Sequence, residues 1–288
     1  MKAQHLVFAF FLTLSCSASF ILRAQEMNFA STGSGPLQVE ADQGLELAQD
    51  NKTIIARGNA KAVRGKVTLT ADVLIAHYRD APKKTEGASS SSEVWRVEAR
   101  GHVLIVTPTQ RITAEFGDYN IDDAVAVLKG GNLKLVTENG ELTARDSLEY
   151  WEKRGQAIAR GDAVAIQGDR RLSAATLVAD IGPDSKKKTA ILRVRAYDDV
   201  VLTTAKEVVR GDQGDYVTKT GIATIVGSVK ITRDGNQLNG GRAVVNLNTG
   251  ISRLLPDAPD GGDRERVRGL FVPGNLEPRG SDPSGRTR

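Results

Sequence analysis

The chain has 288 residues, 40% hydrophobic and 26% charged, an ordinary globular balance that excludes a disordered chain and supplies a sizeable core for one or two domains. Lysine and arginine total 39 against 35 aspartates and glutamates, so the net charge of +4 mildly favours anionic partners. That excess is far from a nucleic-acid-binding stripe, and no nucleic-acid partner is expected.

Residues 1–24 read as a secretory signal peptide: Lys2, an apolar run from Leu6 to Leu22, and a small-residue exit near Ala18 or Ala24. Export to the periplasm follows. The alternative is a retained membrane anchor, because Phe20, Ile21 and Leu22 lengthen the run toward the ~18 apolar residues of a spanning helix. Thr13, Ser15, Cys16, Ser17 and Ser19 dilute the segment and argue against it. The only cysteine, Cys16, falls in this run, so the mature chain is expected to contain neither a disulfide nor a thiolate ligand.

From Leu37 to Leu255 a short unit repeats. Leu69-Thr70-Ala71-Asp72-Val73-Leu74 returns as Leu142-Thr143-Ala144-Arg145-Asp146-Ser147-Leu148 and as Leu172-Ser173-Ala174-Ala175-Thr176-Leu177, with looser copies at Val39, Ile112, Val209 and Leu238. A unit of about thirty residues thus recurs seven times. Its second half is seen in Ala56-Arg57-Gly58-Asn59-Ala60, Ala99-Arg100-Gly101-His102-Val103 and Ala159-Arg160-Gly161-Asp162-Ala163. Turn residues separate the halves, as at Asp50-Asn51-Lys52, Lys153-Arg154-Gly155 and Asn248-Thr249-Gly250, and the units, as at Glu138-Asn139-Gly140 and Arg233-Asp234-Gly235-Asn236. Two longer spacings hold Pro82 to Ser92 and Gly182 to Lys188, read as solvated loops.

Each unit is therefore two strands. Val67, Leu69, Ala71, Val73 and Ile75 alternate with Thr68, Thr70 and Asp72, and Val125 with Val127, Leu133 with Leu135, Val200 with Leu202 repeat the period of two. Turns this short join antiparallel neighbours. The expected fold class is all-β, a serial stack of antiparallel hairpins with minimal helix. Periodicity leaves a jelly roll and a solenoid open, and the glycine after each Ala-x pair favours strands that bend sharply, so that the sheet folds over on itself. Residues 256–288, rich in proline, glycine and charge, read as a disordered tail interrupted by one apolar island, Val267 to Val272, which either packs back or docks on a partner.

Catalytic signatures are missing. Outside the leader only His77 and His102 remain, too few for a zinc site, so no metal or cofactor is expected. Neither a nucleophile elbow nor a phosphate loop occurs. Asp122-Asp123 and Asp198-Asp199 are placed at turns, and Trp95 and Trp151 in the core or at an edge rather than on a ligand platform. The chain is not expected to be an enzyme.

The Leu-Thr-Ala-Asp and Ala-x-Gly-x-Val elements, with the leader and the Val267-Arg268-Gly269-Leu270-Phe271-Val272-Pro273-Gly274 ending, resemble the LptA/OstA family of lipopolysaccharide transport proteins. The same unit occurs in LptC and in the periplasmic part of LptD. The resemblance implies an open-ended jelly roll with an apolar trough that carries lipopolysaccharide acyl chains from inner to outer membrane. It also implies LptC-like and LptD-like partners and head-to-tail self-association through the terminal edges. Lipid-facing candidates are Val67, Leu69, Val73, Ile75, Val103, Ile105, Val125, Val127, Leu133 and Leu135, in a phase that a one-residue slip would invert. Alternatives are an exported structural or adhesive β-repeat protein without lipid cargo and an anchored LptC-like relative.

Overall fold

A computed structural model describes residues 37–80, 92–256 and 266–272. The leader, most of the loop that begins at Pro82, and the remainder of the C-terminal tail lie outside the described residues. What is described is one antiparallel sheet of eighteen strands: β1 Gln38–Glu40, β2 Leu45–Ala48, β3 Thr53–Arg64, β4 Val67–Asp80, β5 Ser92–Val106, β6 Gln110–Asn120, β7 Val125–Lys129, β8 Lys134–Thr137, β9 Gly140–Thr143, β10 Ser147–Trp151, β11 Gln156–Gln167, β12 Arg170–Pro183, β13 Thr189–Thr203, β14 Val208–Val217, β15 Ile222–Arg233, β16 Asn236–Asn246, β17 Ile251–Leu255 and β18 Arg268–Leu270. Among the described residues the only helical element is a 3-10 turn, Glu152–Arg154.

Four pairs of short strands each share one neighbouring strand and together fill one rung. β1 and β2 both pair with β3; β7 and β8 with β6; β9 and β10 with β11; β17 and β18 with β16. The eighteen strands therefore form fourteen rungs, two for each of the seven sequence units. β18 carries part of the Val267–Val272 island onto β16, so the sheet extends past Leu255. The segment Gly182 to Lys188 is not a solvated loop throughout: Ile181, Gly182 and Pro183 pair with Ile191, Ala190 and Thr189, and only the Asp184–Lys188 turn projects. Extra residues here lengthen a hairpin.

Each long rung folds over at mid-length. On β3, β5, β11 and β15 the corner is a glycine followed by a short or polar residue, both left-handed: Gly58-Asn59, Gly101-His102, Gly161-Asp162 and Gly227-Ser228. Two residues stand opposite one on the neighbouring strand, the geometry of a bulge that opens with a left-handed glycine. β13 makes the same corner without glycine, at Asp198 (φ 60°) and Asp199 (φ 53°). The expectation that both acidic pairs sit at turns is thus corrected for Asp198-Asp199, which lies within a strand, while Asp122-Asp123 does lie in a turn, between β6 and β7. Asp tolerates the left-handed region better than most side chains, which is why the pair can serve at either place.

The corner explains both sequence motifs. On the bulged strands buried residues sit four apart around the Gly-x pair, as with Ala99 and Val103 or Ala159 and Ala163. On the intervening strands they sit three apart, as with Ala71 and Leu74 or Ala174 and Leu177, so alternation reverses phase there. Alanine recurs at the inner side of the bend because two sheet halves converge there; Ala60, Ala163 and Ala243 have no exposed surface. Inside lie two contiguous apolar clusters, one from Ala56 to Val200 and one from Leu202 to Val245, with Leu172 packed against both.

The corner is expected to be sensitive to a single methyl. In Gly161→Ala the new Cβ would stand 2.9 Å from the Asp146 backbone nitrogen at φ +82°, and urea unfolding should show a loss of about 2 kcal/mol or more. Gly235→Ala, at φ +78° with nothing within 4 Å, should cost about half as much; equal losses would contradict the packed corner.

Candidate functional site

The folded-over sheet encloses a trough between its two halves. Its central part is a cavity of about 270 Å³ lined by residues from β6 to β15 together with Leu247. Large side chains such as Ile112, Leu128, Leu148, Leu177 and Ile225 form the walls, and Ala126, Ala157, Ala165 and Ala179 keep space between them. Interiors normally fill to crystal-like density, so an apolar hollow running under successive rungs is a built feature. The lining also includes polar residues, among them Asn139, Glu141, Gln167 and Arg170. Arg170 donates to the Leu247 carbonyl at 2.8 Å, which ties together two of the lining residues. Burial pushes the Tyr216 hydroxyl pKa up, only partly offset by the charge of Arg170, so the phenol stays neutral in the apolar wall.

The corner phase decides where the sequence-predicted residues fall. Leu69, Val103, Ile105 and Leu133 are buried in the interior cluster, and Val67 and Leu135 pack against it. Leu135 and Ile112 face each other across β8 and β6, and both line the cavity. Val73 and Ile75 point the other way. They pair with Arg100 and Glu98 on the outer face, while Leu74, paired with Ala99, points in. Val125 and Val127 are likewise outside, across from Asn120 and Asp118, while Ala126 and Leu128 line the trough. The expectation of one unbroken alternation from Val67 to Ile75 is thus corrected: the phase changes at Asp72. The trough is also lined by Ala126, Leu148, Tyr150 and Leu177; Leu177 is found by its spacing of three from Ala174 and Leu148 by its spacing of four from Ala144, whereas Ala126 precedes the longer break at Gly130–Asn132.

The outer face is organised by ions. Glu98 is almost fully buried there: His77 Nε2 lies 2.9 Å from its Oε1, and Arg100 Nη2 donates to its Oε2 at 2.6 Å. Burial works against the charged form, but the hydrogen bonds from Arg100 and His77 and the charges of Arg96 and Arg100 outweigh it and hold the carboxyl below the usual carboxylate range. At the corner, His102 Nδ1 lies 2.9 Å from Asp72 Oδ2, and that hydrogen bond, with the Asp72 charge, raises the imidazole pKa. Among the described residues no cluster of His, Cys, Asp and Glu is arranged to hold a metal ion. No described helix is long and apolar enough to cross a membrane.

The family model described as LptA/(LptD N-terminal domain) LPS transport protein matches residues 38–146 and again residues 141–251. The chain belongs to this family. It is a lipopolysaccharide transport family, and this member carries the family pattern twice, in tandem, through a single uninterrupted sheet. A solved structure of LptH, the LptA-homologous periplasmic component of the conserved lipopolysaccharide transport device from Pseudomonas aeruginosa, is similar to 46% of this chain over 94% of its own length. The identity is 22% and the TM-score 0.39. No curated protein matches.

Two outcomes are expected. Glu98→Gln should lower stability by about 1–2 kcal/mol at pH 7. Because the folded pKa is depressed, the stabilisation is present above the unfolded carboxyl value and lost as pH falls through the folded one. The difference between variant and parent should therefore shrink on acidification in urea titrations. Ala126→Leu should fill part of the trough without unfolding the chain, with a midpoint equal to or above the parent's by thermal melt.

Proposed function

We propose that the chain is a periplasmic carrier that holds the acyl chains of lipopolysaccharide in its interior trough and passes them between the inner and outer membranes without catalysing a reaction. The observation that carries this reading is the alanine-spaced apolar hollow inside a folded-over sheet. Each acyl methylene transferred from water into such a space contributes about 0.8 kcal/mol, so several chains are held by area alone, with no specific pocket and no barrier to sliding. Inward-facing Val67, Leu69, Val103, Ile105, Leu133 and Leu135 are the lipid-contacting residues in this reading, joined by Ala126 and Leu177.

The two ends supply the docking sites. Leu45 and Leu47 on β2, both 58% exposed, and Ile251, Leu270 and Phe271 at the other end, 58–68% exposed, lie beside strands paired on one side only among the described residues. Apolar terminal edges of this kind accept another strand, from LptC-like or LptD-like partners or from a second copy added head to tail.

Site-specific photo-crosslinking in lipopolysaccharide-producing cells tests the cargo. Labelled lipopolysaccharide should be captured from Leu135 and Leu177 but not from Val73, and Ala126→Leu should reduce the yield. Capture at none of the inward positions would leave the structural-repeat reading instead. For the edges, Leu45→Lys/Leu47→Lys should leave far-UV circular dichroism unchanged and abolish concentration-dependent association in sedimentation velocity; association at the parent's strength would count against strand addition at β2.

A further inference from the structure

The outer face of the sheet carries a second cavity, of about 520 Å³, that shares strands with the trough but not its residues. Both tryptophans of the chain line it. Trp95 is the extra residue of a bulge in β5, where His77 pairs with Arg96 but Tyr78 with Val94. Trp151 ends β10. Between them Val125 and Val127 form the floor, and the row Arg96, Asn120, Val125, Trp151 crosses four adjacent strands. Three strand spacings put the two walls roughly 14 Å apart at the backbone.

The polar groups around that floor come as paired donors and acceptors. Arg96 Nε donates to Asp118 Oδ1 at 3.0 Å, and Asn120 Nδ2 donates to Asp123 Oδ2 at 2.7 Å. Trp151 Nε1 donates to Glu149 Oε2 at 3.0 Å, which fixes the indole, and the Arg154 guanidinium stands 4.6 Å from the centroid of the same ring. An acyl chain would find two valines and an ionic rim. A peptide strand would find no free edge, because β5, β6, β7 and β10 are paired on both sides. A polyphosphate would face Asp118 and Asp123, and the cations of the cleft are already engaged, Arg96 by Asp118, Lys153 by the Asp122 carbonyl and Arg154 over the Trp151 ring.

We infer that this outer cleft binds a saccharide. The C–H face of a pyranose ring lies flat on an indole, and hydroxyls, which both donate and accept, match carboxylates set beside guanidinium and amide donors. The volume falls in the ordinary range for small-ligand sites. The site stands apart from lipid carriage: alternate residues of β7 and β10 face the trough and the cleft, so either can fail without the other.

Because Trp95 and Trp151 are the chain's only tryptophans, intrinsic fluorescence of the full chain reports the site directly. Two probes are titrated, the core oligosaccharide released from lipopolysaccharide by mild acid and the N-acetylglucosamine–N-acetylmuramic acid disaccharide of the cell wall. A saturable spectral change with either is expected, weakened about tenfold or more in Trp151→Ala, read from Trp95, and in Asp118→Asn. Response to the oligosaccharide alone assigns the cleft to the cargo's own sugar; response to the disaccharide alone assigns it to the cell wall. No saturable change with either probe, or a change of equal affinity in both variants, overturns the inference, and lipid capture at Leu135 should be unaffected in both.

Discussion

Every long strand of this sheet has to turn a corner halfway along without giving up its hydrogen bonds to the strands on either side. Two consecutive left-handed residues on β3, β5, β11, β13 and β15 achieve this, and on all of these but β13 the first is glycine, with an acidic or amide side chain pressing on it from the neighbouring rung: Asp72 on Gly101, Asp146 on Gly161, Asp212 on Gly227, Gln43 on Gly58. At three of these corners the residue after the glycine makes a hydrogen bond or ion pair, Asn59 to Asp42, His102 to Asp72, and Asp162 to Arg145, which also reaches Asp146. Aligned corners set the fold angle of the whole sheet, and the fold angle sets the width of the trough. Alanines on the inner side and polar side chains on the outer side are both consequences of that bend.

The class of fold could be read from the sequence because strand period, turn residues and the thirty-residue repeat are local signals that agree with one another. Even the bend was visible in the recurring Ala-x-Gly-x-Val. What could not be read was how many residues each corner consumes. Leu69 and Leu74 are five apart and both buried, which no period of two allows, and Val73 and Ile75 are therefore carried to the outer face by a bulge whose cause lies on the next strand. Val125 and Leu133 separate for a similar reason: they lie on opposite sides of the Gly130–Asn132 break, so Leu133 is buried in the core while Val125 faces outward. Long-range juxtaposition was equally invisible. Trp95 and Trp151 are far apart in sequence and face one cleft only because the sheet places just two strands, β6 and β7, between β5 and β10.

Tandem use of the family pattern changes what the ends have to do. The two matched stretches meet at β9 and β10, where β9 and β10 pair with β11 as other rungs pair, so the junction presents no free strand. Apolar side chains that a single copy would leave open at that position are instead inside a continuous core, as Leu142 and Leu148 show. Exposure of leucine, isoleucine and phenylalanine is concentrated at the first and last rungs.

The direction of the hydrogen bonds has a mechanical consequence. In a stack of fourteen rungs they run along the long axis, so tension between β1/β2 and β17/β18 pulls neighbouring rungs straight apart instead of shearing them. Hairpin turns at alternating ends keep the polypeptide continuous when any one pair opens. Load along this axis would be met by one rung's hydrogen bonds at a time, the geometry of a compliant strut and not of a brittle rod.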